Sequence, residues 1–310
     1  MLVDWCEWTD KSRSVEEVCE EFPGEWVNLP HGALGYRGGR QHDTGLRVLY
    51  DGAPGMGVHV SASGEVCRRL EHLGVVREWP AFLASFRGDA GAITEGRRLT
   101  RLDVAVDETV GLVDVERCYA EKRAGHMVSR WRTCELENGR ESIARAEERA
   151  RPTLYVGEKR KSDAFLRIYD KADQQGVQGH WHRVEMQTRD QRARELGAHL
   201  ASNGLESFSG ILRGYLDFKV EGTDSNKWRW PTVGWWEEFL QGAAKTRITR
   251  APKPAATLEE RIWHMERNYG PTLAVMAEVY GIEELVRIAQ RGKKRWRPAH
   301  RVLLAEARAS

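Results

Sequence analysis

A tyrosine set between two cations is the first sign of chemistry in this chain. Residues 164–171 read AFLRIYDK, and their alternation suits a strand of period two. Phe165, Arg167, Tyr169 and Lys171 would share one face, with Leu166 and Ile168 on the other. A phenol is a weak nucleophile at its ordinary pKa; nearby cations favour the phenolate and can hold a phosphate. Tyr169, with Arg167 and Lys171 as its helpers, is therefore expected to attack a phosphodiester. The plainer alternative is a half-exposed strand whose tyrosine packs at a sheet edge while its cations are solvated.

Two further strands supply acids. RRLTRLDVAVD at 97–107 alternates so that Leu102, Val104 and Val106 face a core, leaving Arg101, Asp103, Ala105 and Asp107 on the other side. Carboxylates on one strand face repel unless a cation sits beside them. Asp103 and Asp107 are thus candidate hard-oxygen ligands for Mg²⁺ or Mn²⁺, or else a solvated strand end. HWHRVEMQ at 180–187 alternates again, with Trp181, Arg183, Glu185 and Gln187 on one face and His180, His182, Val184 and Met186 on the other. Three adjacent strands would bring Asp103, Tyr169 and Glu185 together, ringed by Arg101, Arg167, Lys171 and Arg183. Carboxylates for a metal, a tyrosine and phosphate-binding cations on one sheet face suit nucleic-acid cleavage. A basic hairpin loop at 157–162, between a strand at 153–156 and the Tyr169 strand, adds Lys159, Arg160 and Lys161, placed to meet a phosphate backbone.

These strands sit in a chain of 310 residues, 30% of them charged, with a formal net charge of only +2. Polyanion binding must therefore come from local clusters rather than overall charge. Five scattered cysteines without a CxxC pair argue against a disulfide framework or zinc site and for a reducing, cytoplasmic setting. No signal-peptide pattern opens the sequence, and no apolar run approaches the roughly 20 residues of a membrane span. Residues 1–30 open on a short apolar stretch, followed by a helix at Ser14 with Glu17 as its capping-box partner. Glycine-rich hairpins follow, then short helices at 66–73 and 80–86. Residues 113–151 read as helical and charge-rich. Residues 210–218 read as a helix end or a last strand. Trp228 and Trp230, interleaved with Lys227 and Arg229, suit either base stacking or packing. Beyond a basic linker at 246–254, helices are expected at 258–268, 272–280 and 282–289, ending in a cationic run that contains Lys293, Lys294 and Arg295. The expected division is an N-terminal α+β half at 1–95, a catalytic half at 96–245 and a helical basic region at 246–310.

GMGVHV at 55–60, RLTRLDVAVD at 98–107, LYVGEKRKSDAFLRIYDK at 154–171 and HWHRVEMQTRD at 180–190 occur in that order. Together they resemble the replication initiation factor (Rep-trans) family, the rolling-circle initiators of small plasmids and filamentous phages. The resemblance spans about residues 30–240 and is most specific in its middle block. It implies an α+β fold with an antiparallel nickase sheet, an arrangement that a duplicated RRM or ferredoxin-like unit would give, flanked by helices and a helical C-terminal region. It also implies that Tyr169 nicks the origin strand, keeping the 5′-phosphate and freeing a 3′-OH. The divalent ion would be held by Asp103 and Glu185, with Asp107 as a third acid. The implied partners are an origin as single strand or hairpin, host helicase and polymerase, and a second copy, with the C-terminal cations as an element that reads DNA. Two other readings stand beside it. His180-Trp-His182 with Tyr215 fits the order of His-hydrophobic-His relaxases, and a chain of this fold without catalysis would be an origin-binding regulator. Tyr155, lacking flanking cations, is a further tyrosine on an alternating strand.

Overall fold

The computed structural model describes residues 1–86, 96–137, 152–246, 258–296 and 298–309. It divides into two units, Met1–Arg250 and Ala251–Ser310. In the first, the strands are β1 (Leu2–Asp10), β2 (Trp26–Asn28), β3 (Gly38–His42), β4 (Arg47–Tyr50), β5 (Val58–Ser63) and β6 (Arg97–Glu108). They continue with β7 (Met127–Ser129), β8 (Cys134–Glu137), β9 (Thr153–Val156), β10 (Ala164–Asp170), β11 (His182–Arg189) and β12 (Leu216–Phe218). Ten of these make one antiparallel sheet in the order β2-β3-β4-β5-β1-β6-β11-β10-β9-β8; β7 and β12 pair separately.

From the central β1/β6 pair outward, the order is β1-β5-β4-β3-β2 on one side and β6-β11-β10-β9-β8 on the other. Each half begins with its inner strand, runs to the outer edge and returns strand by strand. Each half therefore holds five strands, where an RRM sheet has four. The division expected at 95/96 falls between two halves of one sheet, joined by pairs such as Val3 with Val104 and Cys6 with Leu102.

Alternation decides which side of this sheet is core. Val3, Cys6, Trp8, Val60, Leu102, Val104, Leu166, Ile168, Val184 and Met186 are fully buried on one face. That face packs against helices that include α2 (Gly64–His72), α3 (Trp79–Ala84), α6 (Asp190–Asn203) and α7 (Phe208–Tyr215). Each such side chain contributes about 1.5–3 kcal/mol of burial. A one-residue slip would send the set to the wrong face, so packing pins the register that aligns the polar side. The entry into β5 is equally constrained. Gly57 has φ +72°, and a Cβ there would lie 2.3 Å from the Asp10 carbonyl oxygen. Gly57→Ala is expected to cost about 2–4 kcal/mol from strain and overlap together, read as a lowered urea midpoint with an unchanged slope.

Several elements differ from the sequence-based expectation. The first residues form the central strand β1 rather than a short apolar stretch. Helix α1 (Val15–Glu20) does open on the Ser14–Glu17 capping box. Residues 113–151 are not one helical stretch. Helix α4 (Val115–Ala124) is capped by Asp114 and stops at Gly125, which takes φ +79°; β7 and β8 follow, and 138–151 lie outside the described residues. Residues 210–218 are both a helix end and a strand, α7 running into β12. Lys171 lies beyond the β10 strand, opening α5 (Lys171–Gln175), and His180 precedes β11. A short helix α8 (Gly234–Phe239) ends the described helices of the first unit.

The second unit contains α9 (Leu258–Tyr280), α10 (Ile282–Lys293) and α11 (Pro298–Ala309). The two helices expected at 258–268 and 272–280 are one, with Pro271 inside it. Proline there removes one ladder hydrogen bond, yet the helix continues past it. Among the described residues, no helix is long and apolar enough to cross a membrane.

Candidate active site

The polar face of β6, β11 and β10 assembles the chemistry. In β10/β11 pairing, Arg167 opposes Glu185 and Tyr169 opposes Arg183. In β11/β6 pairing, Arg183 opposes Asp107 and Gln187 opposes Asp103. Period-two alternation therefore places Tyr169, Glu185 and Asp103 on one face of three adjacent strands.

Glu185 is the hub. Its side chain is fully buried, and Tyr169 donates its hydroxyl to Oε2 at 2.9 Å. Arg167 pairs with Oε1 of the same carboxylate. The Arg167 guanidinium and the Lys171 ammonium lie 5.5 and 5.9 Å from the Tyr169 ring centroid. Burial first, and the Glu185 charge second, hold the phenol well above its ordinary pKa, against the pull of Arg167 and Arg183. The cations alone thus do not yield a phenolate, contrary to the expectation drawn from their spacing. What the site provides instead is a phenol with a proton acceptor already in contact. Lys171, whose Nζ also reaches Gln174 Oε1 at 2.7 Å, has its pKa lowered by burial and then by Arg183.

Asp103, also fully buried, is gripped by Arg101. Nε stands 3.1 Å from both carboxylate oxygens and Nη2 2.6 Å from Oδ2. Arg101 Nη2 also donates to Gln187 Oε1 at 3.0 Å. Burial pushes the Asp103 carboxyl up to about 7; Arg101 opposes this and Glu185 adds to it. Asp107 is turned to Arg183, which donates from Nε and Nη2 at 2.5 and 2.8 Å. The third arm of Arg183 reaches Asp4 Oδ1 at 2.6 Å. Asp4 comes from β1, where the register shifts between Val3 and Trp5. Sequence reasoning missed it, although the resumed alternation of Cys6 and Trp8 could have marked a strand there.

Among the described residues, no group of three or more His, Cys, Asp or Glu side chains is arranged to hold a metal. Asp103 and Glu185 nonetheless suit a hard divalent ion as a pair. They are buried oxygen donors whose mutual repulsion helps to raise Asp103, and Mg²⁺ is commonly held by one or two carboxylates together with phosphate oxygens and water. Asp107 is forked by Arg183 much as Asp103 is by Arg101.

The remaining candidates lie elsewhere. His180 Nε2 is 2.7 Å from Glu108 Oε2 and 3.1 Å from the Val113 carbonyl oxygen, with the His182 ring 4.6 Å away. His182 alternates with the core residues Val184 and Met186, so it points away from Tyr169. Tyr215 packs in the core against Trp131 at 4.8 Å. Tyr155 opposes Arg167 across β9/β10, beneath Lys159 Nζ at 3.8 Å from its ring centroid. Lys159 is also paired with Glu137, while Arg160 and Lys161 are exposed. Trp228 carries the Lys245 ammonium at 3.5 Å from its ring centroid, and Trp230 donates to the Asp224 carbonyl at 2.7 Å. Lys293, at the end of α10, and the following Lys294 and Arg295 are exposed in the second unit.

The model of one family, described as replication initiation factor, matches residues 97–290, more than half of the chain. The chain belongs to the replication initiation factor family. The family match begins at β6, so β1 to β5, including Asp4, lie outside it. A relative from Bacillus subtilis, named as a DNA relaxase, NicK, is 24% identical over 283 residues, covering 87% of this chain and 77% of the relative. The solved structure of a rolling circle replication initiator protein from Geobacillus stearothermophilus is 30% identical with a TM-score of 0.66. It covers 81% of this chain and 98% of that one. Family membership and the large antiparallel sheet with flanking helices therefore agree.

Proposed function

We propose that the chain initiates rolling-circle replication by nicking the origin strand with Tyr169. The observation that carries this is the 2.9 Å hydrogen bond from the Tyr169 hydroxyl to buried Glu185, on the sheet of a replication initiation factor. As the tyrosine oxygen bonds to phosphorus, its proton passes to Glu185 Oε2 and the bond from phosphorus to the 3′-oxygen breaks. The 5′-phosphate stays on Tyr169, and the 3′-oxygen leaves with the bonding electron pair and takes a proton from water, giving a 3′-OH able to prime polymerase. Cations in a buried site stabilise the negative charge developing on the phosphate oxygens; Arg167 and Arg183 are placed for this. A divalent ion, when bound by Asp103 and Glu185, would add Lewis-acid stabilisation of those same oxygens. Host helicase and polymerase would act on the product, and a second copy would offer a second tyrosine to end the cycle.

The test is incubation with single-stranded DNA from the origin of the chain's own replicon, in Mg²⁺ or Mn²⁺, followed by a denaturing gel. A covalent protein–DNA adduct is expected, with the modified peptide mapping to Tyr169. Tyr215→Phe should form the adduct at the wild-type rate, and EDTA should abolish it reversibly. An adduct lost in Tyr215→Phe would transfer the nucleophile to the core tyrosine. DNA binding without any adduct would leave an origin-binding regulator.

A further inference from the structure

We infer that Trp5, on β1, is a base-stacking platform for an unpaired nucleotide of the strand cut at Tyr169, away from the scissile phosphate; this rests on the nicking role proposed for Tyr169. β1 uses its apolar residues economically on one side, with Val3, Cys6 and Trp8 fully buried in the core. Trp5 is only half-buried and belongs to the other side, outside that core. Its Cα partner across the β1/β6 pair is Asp103. The register shift after Val3 lets consecutive residues reach the same polar face, Asp4 to Arg183 and Trp5 to Arg101.

The ring is held rather than loose. Its indole N–H donates to Glu7 Oε1 at 2.7 Å, and that oxygen also accepts from Ser61 Oγ at 3.0 Å. The Arg101 guanidinium sits 4.2 Å from the ring centroid while forking onto Asp103. A large aromatic fixed on a polar sheet face, with its hydrogen bond satisfied and a cation against it, forgoes the burial that Trp8 obtains three residues on, on the opposite face. An unpaired nucleobase would supply that missing contact. Bases stack on such rings whatever their identity, and a neighbouring arginine adds a cation–π contribution. Tyr169 lies on β10, three strand steps from β1 or about 14 Å at the usual inter-strand spacing, and Trp5 is level with Asp103, Gln187 and Phe165, four residues along β10 from Tyr169, so the stacked base belongs to a nucleotide further along the strand on the same polar face.

The experiment uses fluorescein-labelled single strands spanning the nick site mapped by the adduct, each carrying one abasic position. Affinity is read by anisotropy in the full-length Tyr169→Phe protein, which cannot cleave. One abasic position should weaken binding about 5- to 150-fold, the range of a lost base–aromatic stack. Adding Trp5→Ala should weaken the intact strand by a similar factor and erase the sensitivity at that position alone. Trp5→Phe should keep part of it, and serves for the comparison if the alanine variant does not fold. An abasic profile unchanged by either Trp5 substitution overturns the platform while leaving nicking intact. Failure of the wild type to form an adduct would strike the nicking role instead.

Discussion

Tyr169→Phe is expected to abolish the covalent protein–DNA adduct, to below about one part in 10⁴ of the wild-type rate, while changing single-strand affinity less than about threefold. The loss is this large because no neighbouring group can take over the phosphorus–oxygen bond, and removal of an enzyme nucleophile costs on the order of 10⁶-fold in well-studied cases. The fold should tolerate the change. The Tyr169 ring is 6% exposed and retains its packing as phenylalanine, and only its hydroxyl contact with Glu185 is lost. Quantifying the adduct on a denaturing gel beside anisotropy on the same oligonucleotide separates chemistry from binding. A Tyr169→Phe protein that still cross-links to DNA would end the assignment.

Glu185→Gln is expected to have the second large effect, on rate and on stability together. The amide cannot accept the phenol proton, which removes general-base assistance generally amounting to about 10²- to 10⁴-fold. It also strips the charge that Arg167 faces, in a carboxylate pair with no exposure on the acid side. Breaking a buried ion pair on one side costs about 3–5 kcal/mol because the remaining charge is orphaned. The expected result is a slowed nick together with a lower urea midpoint. Replacing both partners, Arg167→Met with Glu185→Gln, should recover much of the stability and none of the activity. An active, fully stable single variant would show that Glu185 neither takes the proton nor anchors Arg167.

The residues around Tyr169 were legible because their strands alternate cleanly. Leu166 and Ile168 in β10, like Val184 and Met186 in β11, are apolar and fully buried at alternate positions, so the residues between them had to share the polar face. Asp103 was legible for the same reason in β6. Asp4 and Trp5 were not, since the register shift in β1 breaks alternation where they stand, and the strand's partner lies far along the chain. The behaviour of the Tyr169 hydroxyl was misread for a different reason. Charge spacing along a strand reveals Arg167 and Lys171 but not how deeply the phenol is buried, nor that Glu185 receives its hydrogen bond. In the tail, Pro271 suggested a break that the surrounding helical residues override. The helix predicted through 113–151 stopped early because Gly125 is a stop signal as strong as any in the segment.

The succession of strands has a kinetic consequence. β1 is synthesised first yet lies at the centre of the sheet, and its neighbour β6 must wait until the whole first half has emerged. β11 and β10, which carry Glu185 and Tyr169, close against β6 only later still. At about 5–20 residues per second on the ribosome, a nascent chain spends seconds with β1 satisfied on one edge only, by β5. Pairing between strands so distant in sequence is slow to nucleate, and an unpaired central edge invites association with other chains. The same delay keeps the Tyr169 hydroxyl without its hydrogen-bond partner Glu185 until translation has passed β11, so on the proposed mechanism a shorter nascent chain would not cut DNA. The Tyr169–Glu185 contact is thus a property of the finished sheet, acquired late and all at once.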